Sequence, residues 1–171
     1  KWATSEIAFT GGEPFMNPDM IQIARNCLNQ GYEVLILTNA MLPMMRKSIK
    51  IGLLELLAAY GEKLTIRISL DHFTAEYHDK ERGKGSYDIT IKGMQWLRDN
   101  KFKMAIAGRT VWGDSDKNSR AGYAKLFEKF KFLIDAQNPA MTILFPEMDE
   151  TVDVPEITTE CWGILNKSPR D

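Results

Sequence analysis

The sequence predicts an α/β chain in which parallel strands form one sheet under a cover of helices. Three observations carry that prediction. Five strand-like apolar runs begin 27 to 39 residues apart, an amphipathic helical segment fills most of each gap, and one strand has a wholly aliphatic face opposite a wholly polar one. The resulting order, βαβαβαβαβ, needs a crossover between successive parallel strands, and right-handed crossovers are overwhelmingly preferred. An open doubly wound sheet and part of a β/α barrel both satisfy the pattern, whereas the uneven spacing argues against a solenoid repeat.

The first strand is "EIAFT", from Glu6, and it runs straight into "GGEP". Asn17 as N-cap, Pro18 at the first helical position and Gly31 past the end bound the first helix; Met20, Ile23, Ala24, Cys27 and Leu28 form its apolar stripe. The second strand, "EVLILTN", starts at Glu33. A helix beginning at Pro43 then places Ile49, Leu53, Leu56, Leu57 and Tyr60 on one face before Gly61 stops it. "LTIRISLD", from Leu64, is the third strand, and the charged stretch "EYHDKERGKGS" behind it is expected to be a solvated loop. A Ser86 cap starts the third helix, which runs to about Asn100, and "KMAIAGRTVW" from Lys103 is the fourth strand. The fourth helix is expected over residues 119–136, with Tyr123, Leu126, Phe127, Phe130 and Ile134 inward, ahead of a fifth strand, "AMTILF", from Ala140.

A chain of 171 residues with 44% hydrophobic and 26% charged residues suits one soluble domain with a substantial core. Its formal net charge of -1 gives no global attraction to nucleic acid or anionic lipid. No apolar run approaches the roughly 20 residues of a membrane span, so a cytoplasmic setting without a membrane partner is expected. Cys27 and Cys161 are too far apart in sequence for a CxxC pair and too few for a disulfide framework. Residues 1–146 form the predicted β/α unit; residues 147–171 form an acidic connector, within the stretch "PEMDETVDVPE" that begins at Pro146, and the start of a C-terminal extension, a helix launched from Thr158 or Thr159. Beginning at Lys1 and ending there, the chain has the look of a piece of a longer protein.

The third strand is the most informative about function. Leu64, Ile66, Ile68 and Leu70 alternate with Thr65, Arg67, Ser69 and Asp71, so the two faces separate completely. Both faces of a helix-covered parallel sheet are normally apolar. Burying an arginine and an aspartate without partners costs several kcal/mol, so either Arg67 and Asp71 pair with each other or the face meets a polar ligand, with Arg109 on the next strand available to the same end.

"TGGEPF" after the first strand, "LTNA" after the second and "ISLDHFTAEYHDKERGKGSYD" across the third together resemble the radical SAM superfamily, over residues 6–145. The resemblance implies a parallel β/α partial barrel, a fragment of a (β/α)6 barrel, with S-adenosyl-L-methionine lying across the C-terminal strand ends. It places Gly11, Gly12, Glu13 and Pro14 near the methionine amino group, Thr38 and Asn39 beside the methionyl and ribose parts, Ser69 and Asp71 at the ribose hydroxyls, and Arg67 and Arg109 as candidates for the methionyl carboxylate. It further implies a [4Fe-4S] cluster held by CxxxCxxC, reductive cleavage of S-adenosylmethionine to a 5'-deoxyadenosyl radical, and hydrogen abstraction from a substrate. The substrate would be a small molecule, a peptide, a glycyl-radical enzyme or RNA, and the electron donor a flavodoxin or ferredoxin.

This chain has no CxxxCxxC. The expectation is that the cluster loop lies upstream of Lys1 and that the chain by itself is inactive; the competing class is a noncatalytic α/β module binding a nucleotide or protein at the same strand ends. Cys27 sits in the apolar stripe of a helix, where it is expected to be an inert buried thiol. Cys161 is either an isolated cysteine or a first ligand of an auxiliary cluster. His72 is expected to pack at the barrel rim, with contact to the cofactor as the alternative. Gly83 and Gly85 suit either a covering segment or the approach to a helix. The phenylalanines of "KLFEKFKFLI" match a core stripe, and the methionines of "AMLPMMRK" fill packing space.

Overall fold

A computed structural model describes residues 4–146 except Trp112. The expectations for the acidic connector, Thr158, Thr159 and Cys161 lie outside the described residues. Five strands, β1 (Glu6–Phe9), β2 (Glu33–Thr38), β3 (Leu64–Ser69), β4 (Lys103–Thr110) and β5 (Thr142–Pro146), form one sheet. Every neighbouring pair is parallel, and the spatial order is the chain order.

That order decides between the two architectures. A doubly wound sheet reverses its strand order at a switch point; here each strand adds beside its predecessor, and right-handed crossovers then put all the helices on one face. The sheet curls into half of a barrel, helices outside and a bare concave face inside.

The strict alternation of β3 survives intact. Leu64, Ile66, Ile68 and Leu70 are fully buried against the helices, while Thr65, Arg67 and Ser69 on the concave face are half-buried. Flanking strands match in register, Ile36 beside Ile66 beside Met104 outside and Leu37 beside Arg67 beside Ala105 inside. The outer set packs with Ala24 and Leu28 of α1 (Met20–Asn29), Leu53 and Leu56 of α3 (Lys47–Tyr60), Met94 and Leu97 of α5 (Ser86–Asp99), and Tyr123 and Phe127 of α6 (Asp116–Phe130). Each such Leu or Ile contributes on the order of 2 kcal/mol of apolar burial. Among the described residues, no helix is long and apolar enough to cross a membrane.

The helices depart from the expected boundaries for local reasons. Residues 14–16 take a 3-10 turn, and the Asn17 side chain spends itself on the Asp19 amide at 2.9 Å, so α1 starts at Met20 rather than Pro18. The helix expected from Pro43 is broken at Arg46, whose ψ of 142° is extended; a short turn, α2 (Leu42–Met45), precedes α3. α5 carries Gly85 at its cap position, with Ser86 already helical. α6 starts three residues early because the Ser115 hydroxyl accepts from the Asn118 amide, and ends at Phe130, where Lys131 turns to φ 56°. Phe132, Ile134 and Ala136 are buried from an irregular segment instead.

The largest correction lies after β3. The stretch expected to be a solvated loop is a helix, α4 (Ala75–Arg82), running from Thr74 to Gly83, and His78 on it is fully buried. In front of it, His72 is also buried and its ring lies 4.0 Å from that of Phe73, matching the rim-packing expectation.

α5 presses on the loop that follows β2. The Thr90 hydroxyl donates to the Asn39 carbonyl at 3.1 Å, and a Cβ on Gly93 would stand 1.9 Å from the Ala40 carbonyl oxygen. Backbone cannot yield there as a side-chain tip could. Gly93→Ala is expected to destabilise the fold by about 2 kcal/mol or more, read from urea denaturation.

Candidate functional site

Side chains from four neighbouring strands converge at the C-terminal end of the concave face. Leu37, Ser69, Ala107 and Phe145 line a cleft of about 480 Å³ together with Asp71 and Arg109, and α4 adds Arg82. The cleft thus offers apolar walls, one hydroxyl, one carboxylate and two guanidinium groups. Ser69 and Asp71 are legible as candidates from the polar period of "LTIRISLD", and Arg109 from the family resemblance; Arg82 carries no such signal.

Asp71 is 5% exposed, and its charge is compensated from two elements. Arg82 donates to it through Nε and, at 3.3 Å, through Nη2; Arg109 Nε donates at 3.3 Å from β4. Of the two readings left open for this face, the Arg67–Asp71 pair does not form. Arg67 sits four residues earlier along the chain, donates through Nη2 to the Ala140 carbonyl at 2.9 Å and lines none of the clefts at the strand ends. Burial lowers the pKa of its guanidinium from the usual arginine range, against the raising effect of Glu6.

The backbone at Asp71 is held as firmly as its carboxylate. Its amide donates to His78 Nδ1 at 3.2 Å, and its carbonyl accepts from the Arg109 amide at 2.8 Å. One residue earlier, the Leu70 carbonyl accepts from the buried Tyr123 hydroxyl at 2.8 Å; burial and the nearby Asp71 charge raise the pKa of that phenol beyond its ordinary range. Burial also lowers the pKa of both histidines: for His78 Asp71 opposes the shift, for His72 Asp114 does, with Nε2 3.9 Å from its carboxylate.

α4 has a second task. Asp79 accepts from the Gly85 and Tyr87 amides at 2.6 and 2.8 Å and from the Ser86 hydroxyl at 3.1 Å, capping α5 from outside it. Those amide bonds, Tyr87's first, hold the Asp79 carboxyl below the usual aspartate range. His78, Asp79 and Arg82 therefore act together, one on the strand backbone, one on the next helix and one on the carboxylate. The missed signal was conventional: Thr74 and Gly83 bracket one helix length of polar sequence.

A second cluster gathers around Glu13. Its Oε1 accepts from the Thr38 hydroxyl at 2.8 Å and from the Phe15 amide at 3.2 Å, and its Oε2 from the Asn39 amide at 2.8 Å. Thr38 is buried on the helix side, and the Asn39 side chain turns back onto the Met41 amide at 2.9 Å, so neither lines the 480 Å³ cleft. Gly11, Gly12, Glu13 and Pro14 instead line a separate groove of about 260 Å³ against α1. Gly11 has φ 142°, and a Cβ at Gly11 or Gly12 would meet nothing within 4 Å, leaving this backbone open to a ligand.

A half-barrel with a glycine-rich first strand end and a polar third strand end now has a family. Residues 1–117, about two thirds of the chain, match the Radical SAM superfamily model. The chain belongs to the radical SAM superfamily. It is 36% identical over 108 residues to the antilisterial bacteriocin subtilosin biosynthesis protein AlbA of Bacillus subtilis, covering 60% of this chain and 23% of that one. Over 101 residues it is 33% identical to the AdoMet-dependent heme synthase of Methanosarcina barkeri, covering 58% and 27%. The chain therefore spans about a quarter of these curated relatives. Among solved folds, Streptococcus suis SuiB aligns over 94% of this chain and 34% of its own, with TM-score 0.61 and 17% identity. The structure of anSMEcpe with bound AdoMet aligns over 84% of this chain and 36% of its own, with TM-score 0.54 and 16% identity.

Radical SAM proteins use S-adenosylmethionine and a [4Fe-4S] cluster. The residues present fit the first: a zwitterionic ligand with a ribose needs guanidinium, hydroxyl and carboxylate groups beside apolar walls, and the cleft supplies all four. The described residues offer no counterpart for the second. Among the described residues, no group of three His, Cys, Asp or Glu is placed to hold a metal, and Cys27 packs half-buried against the core from α1.

Glu13→Gln replaces an acceptor with an amide donor facing either Thr38 or Asn39, and is expected to cost about 2 kcal/mol of stability in urea denaturation. The depressed Asp79 pKa contributes stability that is present above the ordinary aspartate range and lost as pH falls through the folded value. Acid titration followed by circular dichroism is therefore expected to show Asp79→Asn less dependent on pH below about 4 than the unmodified chain.

Proposed function

We propose that this chain is the cofactor-holding part of a radical SAM enzyme, and that the 480 Å³ cleft receives S-adenosylmethionine. The convergence of Ser69, Asp71 and Arg109 on a bare concave face, where a parallel sheet would otherwise be apolar, carries the reading. In this reading Ser69, Asp71 and Arg109 would hold S-adenosylmethionine, which in the whole enzyme would supply the 5'-deoxyadenosyl group for radical chemistry on a substrate.

Each residue has a task in this reading. The Arg109 side chain is 49% exposed and spends only Nε on Asp71, leaving the outer edge of its guanidinium for the methionyl carboxylate. Ser69 presents a hydroxyl toward the ribose. Asp71 has about four acceptor positions, of which Arg82 and Arg109 engage three, so one remains for a ribose hydroxyl. Leu37, Ala107 and Phe145 exclude water beside the polar groups, which strengthens those contacts. Gly11 and Gly12, in the separate groove at the end of β1, have backbone free for the methionine amino group. The cluster ligands and a flavodoxin- or ferredoxin-type electron donor belong to the rest of the enzyme, and its substrate to one of the classes the superfamily modifies.

Calorimetric titration of the chain with S-adenosylmethionine is expected to show one site. Ser69→Ala and Arg109→Ala should each weaken it about tenfold, the equivalent of ~1.4 kcal/mol. Dithionite reduction of the same chain should yield no 5'-deoxyadenosine. Absence of binding, or binding indifferent to both substitutions, would sink the proposal.

A further inference from the structure

His78 has no part in the reading above, yet it is fully buried, its Nε2 has no partner among the described residues, and its Nδ1 faces the backbone of the residue at the centre of the cleft. We propose that His78 is a positioning residue: its unprotonated Nδ1 holds the Asp71 amide and so aims the Asp71 carboxylate between Arg82 and Arg109.

The geometry gives three reasons. Asp71 lies beyond the last ladder position of β3, so its amide has no strand partner, and the histidine ring supplies the acceptor at 3.2 Å. A backbone donor left unpaired in so buried a place costs about as much as a lost hydrogen bond. Arg82 lies one helical turn after His78 on α4 and grips the carboxylate of the same residue, so two contacts from one short helix fix the peptide plane and the side chain together.

Only the neutral ring can do this, because a protonated Nδ1 would point its hydrogen at the Asp71 N–H. The charged and titratable groups around His78 are Asp71 at the end of β3, His72 one residue later, Asp79 and Arg82 on α4, and the Tyr87 ring of α5 at a centroid distance of 5.8 Å. Burial keeps the ring neutral at ordinary pH, and the folded state then binds fewer protons than the unfolded state. Positioning is therefore complete near neutrality and is lost only as pH falls below the ordinary histidine value of 6.5.

Two variants separate aiming from bulk. His78→Gln keeps a carbonyl acceptor without a titrating ring, and His78→Leu fills space without an acceptor. Amide hydrogen exchange at Asp71, corrected for the intrinsic rate and followed by NMR against pH, reads the contact without any ligand; calorimetry with S-adenosylmethionine reads its consequence. The unmodified chain should protect the Asp71 amide at neutral pH and lose that protection, with about tenfold of its affinity, as the His78 ring protonates. His78→Leu should lack both at every pH, and His78→Gln should keep both with no acid limb. Unchanged Asp71 protection through the His78 titration, or unmodified affinity in His78→Leu, overturns the proposal. Should both variants fail to fold, the unmodified chain's exchange profile decides alone. Because the affinity readout rests on the proposed cofactor reading, a chain that binds no S-adenosylmethionine defeats that reading, while Asp71 exchange still decides the role of His78.

Discussion

The carboxylate of Asp71, buried at the end of β3, is the constraint around which the site is arranged. An unpaired charge so far from water would cost several kcal/mol, and removal of one partner from such a pair is far worse than never having built it. Here the compensation comes from both sides, Arg109 one strand over and Arg82 on the following helix. The sheet and the helix layer must therefore keep their relative placement for the charge to be tolerated. That requirement makes the strand end rigid before any ligand arrives, which is what a site that must hold a ligand in one pose needs.

Glu13 solves the same problem at the other edge. Parallel strands end with amides that no neighbour pairs, and the loops after β1 and β2 are joined through one side chain that takes donors from its own turn, from Thr38 and from Asn39. The residue most conspicuous in the sequence motif spends most of its acceptor capacity on structure. Its neighbours Gly11 and Gly12 carry no side chain and remain open, so the division within the motif is between a carboxylate that ties and glycines that expose backbone.

Much of the architecture could be seen in the sequence because its causes are local. The two-residue period of β3 fixed which side chains share a face, and the apolar stripes of α1, α3 and α6 named their buried residues; together with the family motifs these pointed to the half-barrel later found. Depth along a strand is a different matter. Arg67 has the same parity as Asp71, so alternation put both on the concave face, but their partners are set by contacts 73 and 11 residues away in sequence, to Ala140 and Arg82. No periodicity reports that. α4 is hard to read for a different reason: its eight residues are too polar to carry an apolar stripe, so only the bracketing Thr74 and Gly83 mark it as a helix.

A polar helix earns its place here through what it bonds rather than what it buries. Exposed charged pairs contribute little, and a short polar helix alone would not persist in water. His78, Asp79 and Arg82 escape that limit because each is matched to a specific group on another element: a strand-end amide, the free amides of α5, and a buried carboxylate. The three contacts are mutually dependent, since the helix that presents Arg82 to Asp71 is oriented by the histidine and aspartate beside it. Sites built this way take their order from hydrogen-bond geometry and protonation rather than from hydrophobic area. The concave end of this half-barrel should therefore respond to acid well before its aliphatic outer layer does, since leucine and isoleucine packing has no proton to gain.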